Sequence, residues 1–257
     1  MNVLTDAIQL KNVGKVYRLG SEEVTAVDEI SLSIRRGIIC CLLGTSGSGK
    51  STLLNLMAGL EKPTKGSILL SGRKIETMNE RQVTRFRQKN VGFIFQSYNL
   101  LATLTALENV SLPLMFRNVP KRIREQKAKE MLKAVGLEKY AMHRPSQMSG
   151  GQQQRVGIAR AFVSDAPIIF ADEPTGNLDT RTTQEIFDLM LRITKERNQT
   201  MVIVTHDNHL ATYADHVVYI SDGRIIKQEQ RYIEENRKEE NHETESYEEK
   251  NHKTAII

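Results

Sequence analysis

The chain has 257 residues, of which 39% are hydrophobic and 26% charged, a composition that is typical of one or two globular domains with a sizeable core. No apolar stretch approaches the roughly 20 residues that span a bilayer, and no basic segment followed by an apolar one opens the chain, so we expect a cytoplasmic protein without a secretory signal. The net charge of +5 divides into −4 over residues 229–257 and +9 over the rest, and this basic body suits either nucleic acid or an anionic membrane surface.

The first part of the chain contains three predicted strands and a helix. Ala7–Val13 and Ser31–Ile34 read as short strands, and the continuous apolar run Ile39–Leu43 is typical of a strand covered on both faces. Within that run, Cys40 and Cys41 are expected to point to opposite faces and to be plain core residues in a reducing compartment. The apolar spacing of the helix that follows consists of Leu53, Leu54, Leu56, Met57 and Leu60.

The middle of the chain has a helical pattern from Asn99 to about Ser149, with stretches rich in charged residues such as Lys121–Lys133. We interpret residues 97–150 as a helical subdomain inserted into an α/β core. An apolar run, Val91–Phe95, precedes this region, and further apolar runs predict several strands after it. These strands are Ile168–Ala171, Met201–Val204, Val217–Ile220 and Arg224–Ile226.

The alternation of strands and helices predicts an α/β fold on a largely parallel sheet, with a small antiparallel β region at the N-terminus. We assign residues 1–228 to one domain and residues 229–257 to a charged tail. The tail is expected to begin as a helical extension and to end disordered, because apolar residues nearly vanish from it. A solvated appendage is the favoured interpretation, and a regulatory or partner-binding segment is the alternative.

A glycine-rich segment with the spacing of a P-loop lies between a predicted strand and a helix, as the chemistry of a P-loop requires. Glycines let successive backbone N–H groups and the helix N-terminus approach a phosphate. Lys50 is predicted to reach the β- and γ-phosphates of ATP, and the Ser51 hydroxyl to bind Mg²⁺. The alternative is a turn that happens to precede a helix, and the full spacing argues against it. The predicted nucleotide-binding residues here are Gly44, Thr45, Ser46, Gly47, Ser48, Gly49, Lys50, Ser51 and Thr52.

An Asp-Glu pair ends the apolar strand Ile168–Ala171. At the edge of a parallel sheet, Asp172 is placed to hold Mg²⁺ beside the phosphates. Glu173, the next residue, is placed to act as the general base that polarises the attacking water. A solvated acidic turn would be the ordinary interpretation of an isolated pair, but a P-loop upstream makes the catalytic interpretation the better one.

A second anion-binding device opens another predicted helix, at Ser149, Gly150, Gly151 and Gln152. Alone, this segment is as compatible with a simple helix cap. One nucleotide does not need two such devices, however, unless two chains meet around two nucleotides. The pattern therefore points to two chains that meet around two nucleotides.

Taken in order, these motifs resemble those of the ABC-type ATPases over about residues 7–228. The segment Ser149–Gln152 resembles the signature motif of that family, with Met148 where leucine is usual. Because methionine and leucine have similar volumes, the difference should be mild. The resemblance implies a twofold homodimer in which each ATP lies between the P-loop of one copy and this segment of the other.

Four further residues have roles that only the resemblance implies. Gln96 matches the Q-loop, which contacts Mg²⁺ and water and reports the nucleotide state to a membrane subunit. Asp179 ends the D-loop segment 176–179, and His206 matches the switch histidine near the γ-phosphate. Tyr17 stands where the family places an aromatic that stacks on adenine, although a lone aromatic near a turn is more often a packing residue.

Two segments, Gln96–Leu101 and Ala171–Asp179, are similar to the lipoprotein-release, macrolide-export and cell-division ABC ATPases. Their membrane partners transmit motion across the bilayer, and bacitracin-type peptide-resistance ATPases also resemble this chain. The resemblance implies a peripheral protein on the inner face of the cell membrane that forms a homodimer through two sandwiched ATP molecules and drives a separate permease. It implies export or extraction and leaves the cargo open.

Three other interpretations remain to be weighed. A ribosome-associated ABC protein would use the basic body on RNA, but that class joins two ATPase domains and the sequence contains only one P-loop and one signature. DNA-repair and chromosome ATPases separate the motif halves with long coiled coils, which are absent between Lys50 and Ser149. No nucleic-acid partner is therefore expected. A scaffold for a division or wall-remodelling complex would have the same ATPase sequence and stays open.

Overall fold

The computed structural model describes residues 6–231. Its strands form two sheets, a four-stranded antiparallel sheet in the order β2-β1-β4-β5 and a six-stranded sheet in the order β10-β9-β3-β8-β7-β6. Strands β3, β6, β7, β8 and β9 run parallel, and β10 pairs antiparallel with β9 at the sheet edge. The strands are β1 Asp6–Leu19, β2 Glu22–Arg35, β3 Ile39–Leu43, β4 Lys65–Leu70, β5 Arg73–Lys74, β6 Val91–Ile94, β7 Ile168–Asp172, β8 Thr200–Thr205, β9 His216–Ser221 and β10 Arg224–Gln230.

Seven α-helices and two short 3₁₀ turns connect the strands within residues 6–231. The predicted α/β class with a P-loop core and an N-terminal antiparallel sheet is confirmed. The predicted helical region between β6 and β7 contains α3, α4 and both turns, and α5 begins where that region ends. The helices are α1 Lys50–Met57, α2 Glu80–Asn90, α3 Ala106–Phe116, α4 Lys121–Ala134, α5 Gly150–Phe162, α6 Thr180–Glu196 and α7 Asn208–Ala211.

The main sheet separates two hydrophobic clusters. Cys40 packs in the cluster formed with α1 and the antiparallel sheet, and Cys41 packs in the cluster formed with α3, α4 and α5. Both thiols are free and buried. The expectation that the two cysteines face opposite sides of one strand is therefore confirmed, and each contributes to a different core.

The helix after the P-loop is shorter than predicted. It ends at Met57, because Gly59 adopts a left-handed conformation with φ 67° and Leu60 N–H returns to the Asn55 carbonyl at 2.9 Å. Leu60, which we placed on the apolar face of this helix, lies beyond it and is 45% exposed. The apolar spacing continued past a glycine that ends the helix.

The start of the charged tail also differs from the prediction. Glu229 and Gln230 belong to β10 and pair with Val217 and His216, so the chain continues as a strand here and not as a helix. A mixed-charge sequence suits this position because β10 is an edge strand, where charges discourage unwanted pairing. The rest of the predicted tail, residues 232–257, lies outside the described residues.

None of the helices in residues 6–231 has the length and apolar character needed to cross a membrane.

Candidate functional site

The predicted P-loop, the Asp172–Glu173 pair and His206 meet at the carboxyl edge of the parallel strands. The P-loop follows β3, Asp172 ends β7, and His206 directly follows β8. The register aligns these ends, because Leu43 lies opposite Thr205 and Asp172 lies opposite Val204. Loops at the carboxyl ends of parallel strands are where open α/β sheets bind ligands.

Glycine is required at two P-loop positions because the backbone passes close to neighbouring carbonyls. A Cβ on Gly44 would lie 2.2 Å from the Ile220 carbonyl oxygen, and one on Gly49 would lie 2.2 Å from the Ala26 carbonyl oxygen. Gly49 also has φ 94° and precedes the first residue of α1. The sequence thus folds the loop into a tight turn that directs the N-terminus of α1 into the site.

Lys50 lies inside this loop and is 4% exposed. Its Nζ donates to the Thr45 carbonyl at 2.5 Å and lies 3.5 Å from Ser48 Oγ. Burial lowers the pKa of the lysine, and the nearby carboxylates of Glu173 and Asp172 oppose that shift. A buried ammonium held by neutral oxygens is well suited to bind a phosphate, which would supply the missing negative charge.

Ser51 and Asp172 form a pair of oxygen ligands. Ser51 Oγ donates to Asp172 Oδ1 at 2.9 Å. Burial raises the pKa of Asp172, the hydrogen bond from Ser51 lowers it, and the charge of Glu173 raises it further. Hydroxyl and carboxylate oxygens are the donors that Mg²⁺ prefers, so the two residues fit that ion. Because no group of three or more His, Cys, Asp or Glu residues suited to a metal occurs in residues 6–231, the other ligands would have to be phosphate and water.

Glu173 has a left-handed backbone with φ 41°, an unfavourable conformation for a residue with a Cβ. Its N–H donates to the Val204 carbonyl at 3.1 Å, which holds the residue beside the end of β8. His206 Nδ1 lies 3.6 Å from Glu173 Oε1, and the histidine side chain is 65% exposed whereas that of Glu173 is 23% exposed. The two predicted catalytic side chains are therefore neighbours at the mouth of the site.

Gln96 follows β6 and is exposed. Its backbone carbonyl accepts a hydrogen bond from Asn177 Nδ2 at 3.1 Å, and its Nε2 lies 2.7 Å from the position of a Cβ on Gly176. Within the described residues, the side chain makes no hydrogen bond to Ser51 or Asp172. The structure thus joins Gln96 to the loop that follows Glu173, but not to the predicted magnesium ligands.

The predicted signature segment caps α5. Ser149 Oγ accepts from Gln152 N–H at 3.3 Å, and Gln152 Oε1 accepts from Ser149 N–H at 2.9 Å, a reciprocal capping box. A Cβ on Gly150 would lie 2.9 Å from the Tyr98 hydroxyl. In the part of the chain that the structure describes, no hydrogen bond joins this segment to the P-loop. The two anion-binding devices are therefore not connected by hydrogen bonds within one copy.

Asp179 is the N-cap of α6, accepting from Thr182 N–H at 3.0 Å and from Thr182 Oγ1 at 2.7 Å. These hydrogen bonds lower the pKa of Asp179. Its carboxylate is therefore occupied in a helix cap, a role that the sequence analysis did not assign because α6 was not predicted.

Tyr17 lies on β1 and packs toward α1. Its hydroxyl donates to Glu61 Oε2 at 2.6 Å, and Lys15 Nζ lies 5.0 Å from its ring centroid. Burial, followed by the hydrogen bond to Glu61, raises its pKa, while a side-chain hydrogen bond with Thr52 opposes the shift. The structure therefore places Tyr17 beside Thr52, one of the predicted nucleotide-binding residues.

Sequence reasoning missed one arginine that holds the segment after Gln96. Arg160, on α5, donates from Nη1 to the Asn99 carbonyl at 2.5 Å and from Nη2 to the Tyr98 carbonyl at 2.8 Å. Tyr98 and Asn99 both have positive φ, at 58° and 49°. No pattern in a single sequence distinguishes Arg160 from a surface cation of a helix.

It also missed Gln154, which is fully buried on the same helix. Its Nε2 donates to the Pro174 carbonyl, and its Oε1 has no hydrogen-bond partner among the described residues. Arg160 and Gln154 thus tie one helix to two loops of the site.

A P-loop between a strand and a helix, beside an Asp-Glu pair at the same sheet edge, defines a P-loop NTPase. The comparisons with known proteins narrow this class. The model of the ABC transporter family matches residues 27–176. This chain therefore belongs to the ABC transporter family, as an ATP-binding cassette of the ATPase type.

Relatives cover most of the chain. An uncharacterized ABC transporter ATP-binding protein of Thermotoga maritima is 46% identical over 226 residues, which is 88% of this chain and 96% of that protein. The macrolide export ATP-binding/permease protein MacB 1/2 of Paracoccus denitrificans is 44% identical over 219 residues, which is 85% of this chain but 33% of that protein.

A solved structure agrees with this assignment. The dimeric post-hydrolysis state of the cassette MJ0796 of Methanocaldococcus jannaschii, bound to ADP and Pi, is 41% identical to this chain. The TM-score is 0.82, with 87% of this chain and 98% of that chain covered. The family predicted from the motifs is confirmed.

Proposed function

We propose that this chain binds and hydrolyses ATP as a homodimer and thereby drives a separate membrane permease. One observation supports this most directly. The buried Lys50, the Ser51–Asp172 pair and Glu173 lie at one sheet edge, whereas the signature segment on α5 has no hydrogen bond to them within the described chain. A nucleotide at the P-loop of one copy would therefore meet a signature segment only from a second copy.

The geometry supports most of these proposed roles. Lys50 neutralises the terminal phosphates, and the backbone N–H groups of residues 44–52 surround them. Ser51 and Asp172 would hold Mg²⁺, and Gln96, whose role rests on the sequence resemblance, would be a further ligand. The ion would neutralise charge that develops on the phosphates. Glu173 accepts a proton from the attacking water, and His206 lies 3.6 Å from that carboxylate, close enough to orient it.

The second copy completes the site. Its Ser149, Gly150, Gly151 and Gln152 would meet the phosphate from the side opposite Lys50, and its Asp179 would lie at the same interface. The solved relative is described as dimeric, which supports this arrangement. Because ATP would contact both copies and ADP only one of them well, the difference in binding between the two nucleotides would open and close the dimer. Tyr17 would support the adenine.

We further propose a permease of the MacB type, which transmits motion and exports or extracts a lipophilic or peptide substrate. The similarity to MacB proteins, in which a cassette and a permease share one chain, supports this choice. The alternatives are an ATPase of a cell-division or wall-remodelling complex and one of an antimicrobial-peptide resistance transporter. All three place the chain on the cytoplasmic face of the membrane.

The substitution Glu173→Gln tests the catalytic assignment. We expect ATP binding to be retained, turnover to fall at least a hundredfold, and an ATP-bound dimer to accumulate in size-exclusion chromatography with light scattering. Glu138→Gln, which changes the same group on an exposed turn, is the control and should leave turnover unchanged. Near-normal turnover in Glu173→Gln would remove this residue as the base.

The partner is tested with the same variant. Tagged Glu173→Gln protein, trapped with ATP in its native host, should copurify a permease with few spans and a large outer domain. Lys50→Ala, which should bind nucleotide poorly, is the matched control and should recover less of it. Recovery of ribosomes, or of no membrane protein, would contradict the proposed transport role while leaving the ATPase assignment intact.

A further inference from the structure

The amino edge of the main sheet, away from the P-loop, carries a groove of about 1260 Å³ between α2, the β4–β5 turn and the end of α3. Asn90, which directly precedes β6, lies in it, so the groove is near the amino ends of the parallel strands. Within residues 6–231, no acidic side chain lines it. Its cationic lining residues are Arg73, Lys74, Arg85, Lys89 and Arg117.

These five side chains are exposed, and none has an ion-pair partner within residues 6–231. Arg117 Nη1 donates to the Ser164 carbonyl at 2.8 Å, and the other four side chains make no hydrogen bond in that range. Like charges gathered in one concave surface raise its potential and attract counter-ions. The groove is therefore suited to a polyanion.

Two smaller cavities continue this surface. One of about 440 Å³ shares Ser71 with the groove and is lined by Arg35 and Arg36. The next, of about 240 Å³, shares Arg35 with it and is also lined by Gln230. The connected cavities thus reach Gln230, next to the point where the described chain stops, and the last of them is lined by Asp6 and Asp215 as well as Arg35.

Strand β10 ends at the same amino edge of the main sheet. Gln230 pairs with His216, the first residue of β9, so β10 ends at the amino side of the sheet. Arg231 N–H then donates to the Asp215 carbonyl at 2.9 Å. Residues 232–257 follow from there.

The sequence after Arg231 contains an acidic segment, whose charge is opposite to that of the groove. Residues 239–249 include six glutamates and no lysine or arginine. At about 3.3 Å per residue, Glu239 can lie up to about 26 Å from Arg231 and Glu249 up to about 60 Å. A compact domain of this length has a radius of gyration of about 17 Å, so the whole groove is within reach.

We propose that residues 239–249 of this chain dock in the basic groove of the same chain. The six glutamates would pair with the five groove cations, and Tyr247 would lie near Phe116, whose side chain is 59% exposed at the groove. In this arrangement the segment occupies the groove and excludes other polyanions from it. The site lies at the sheet edge opposite the P-loop, so basal ATP hydrolysis does not depend on the docking.

Zero-length carbodiimide cross-linking of the full chain tests the contact. Lys74 and Lys89 are the two groove amines, and Lys129 and Lys133 on α4 are the matched control amines. We expect peptides of residues 239–249 to be joined to Lys74 or Lys89 at least fivefold more often than to the controls. The preference should disappear at 0.5 M NaCl, where exposed charges are screened.

A peptide in trans gives a second measurement. A labelled peptide of residues 236–252 should bind a chain whose six glutamates in residues 239–249 are changed to glutamine, and should bind the wild-type chain at least tenfold more weakly. The triple change Arg73→Gln, Lys74→Gln, Lys89→Gln should reduce binding at least tenfold. The charge-matched change Lys129→Gln, Lys133→Gln, Arg192→Gln should reduce it less than twofold.

Three results would overturn the proposal. One is equal cross-linking to groove and control lysines. Another is cross-linking that occurs only between ¹⁴N and ¹⁵N copies in a mixed sample, which would place the segment on a second molecule. The third is binding of phosphatidylglycerol vesicles or of an oligonucleotide to the groove with the same affinity in the wild type and the glutamine variant. Circular dichroism and ATP turnover serve as folding controls for every variant.

Discussion

The substitution Arg160→Met tests whether Arg160 holds the loop after Gln96, and it should affect that loop more than the rest of the site. Arg160 donates to the Tyr98 and Asn99 carbonyls, and its guanidinium lies 6.0 Å from the ring centroid of Phe95. Methionine keeps the length and the apolar stem of the side chain but removes all donors. The two carbonyls would then lose a charged partner in a half-buried position.

The expected cost follows from four effects, two that stabilise the loop and two that oppose them. Each hydrogen bond from a charged donor stabilises by about 1.5 to 3 kcal/mol, and the contact with the Phe95 ring adds about 0.5 to 1 kcal/mol. Burial of the guanidinium, which lowers the pKa of Arg160, opposes these gains. Release of two left-handed residues recovers about 1 to 2 kcal/mol for each one that relaxes. We therefore expect a net loss of about 2 to 3 kcal/mol, confined mostly to the loop.

Amide hydrogen exchange measures this loss locally. Residues 96–101 should exchange at least tenfold faster in Arg160→Met, while the P-loop and the affinity for ATP stay unchanged. Arg192→Met, on an exposed face of α6 and without a hydrogen bond or ion pair in the described chain, is the control. Unchanged exchange over residues 96–101 would refute the view that Arg160 holds this loop.

Three further predictions concern the core and the P-loop. Gly49→Ala should cost about 3 kcal/mol or more in urea unfolding, because its Cβ would overlap a carbonyl; Gly20→Ala, also left-handed but in open space, should cost about 1 kcal/mol. Asp172→Asn should raise the Tm of the nucleotide-free protein at pH 7, because burial raises the pKa of this carboxyl in the folded state and its ionised form is therefore destabilising. The gain should shrink as the pH falls below that raised pKa, and it should vanish once the carboxyl of the unfolded chain is protonated as well. Cys40 and Cys41 should resist a thiol reagent at pH 8 until the chain unfolds, since burial raises the pKa of both and that of Cys41 to about 12; rapid labelling of the folded chain would contradict their core positions.

The parallel strands could be predicted from sequence because their signal is local. Ile39–Leu43 is buried at every position, and its predicted and observed bounds agree. Two helices gave no comparable signal. The apolar positions of α2 are sparse, with Val83 and Phe86 buried, and its start depends on a capping box between Asn79 and Gln82. The start of α6 depends on Asp179, which caps the helix. In the sequence this residue stood out only for its resemblance to a D-loop residue.

The site could be predicted where residue type and strand position act together, and less well where contacts join distant segments. Asp172 follows a buried strand, so its place at the sheet edge was foreseeable. The hydrogen bond from Asn177 to the Gln96 carbonyl spans 81 positions, and that from Arg160 to the Asn99 carbonyl spans 61. Such backbone contacts leave no periodic trace in a single sequence, and the left-handed φ of Tyr98 gives none either.

These long-range contacts bear on how the two halves of the proposed dimer would communicate. Ser149 is the N-cap of α5, and Arg160 lies about 17 Å further along the same helix at 1.5 Å per residue. A helix of this length moves largely as one body, so a displacement at the signature segment is carried to the Tyr98 and Asn99 carbonyls. Gln96 precedes Tyr98 by two residues. Its carbonyl also accepts a hydrogen bond from Asn177, which follows Glu173 in the chain. In the proposed dimer, a displacement at the predicted signature segment of one copy would therefore reach the segment after Gln96 of that copy through Arg160.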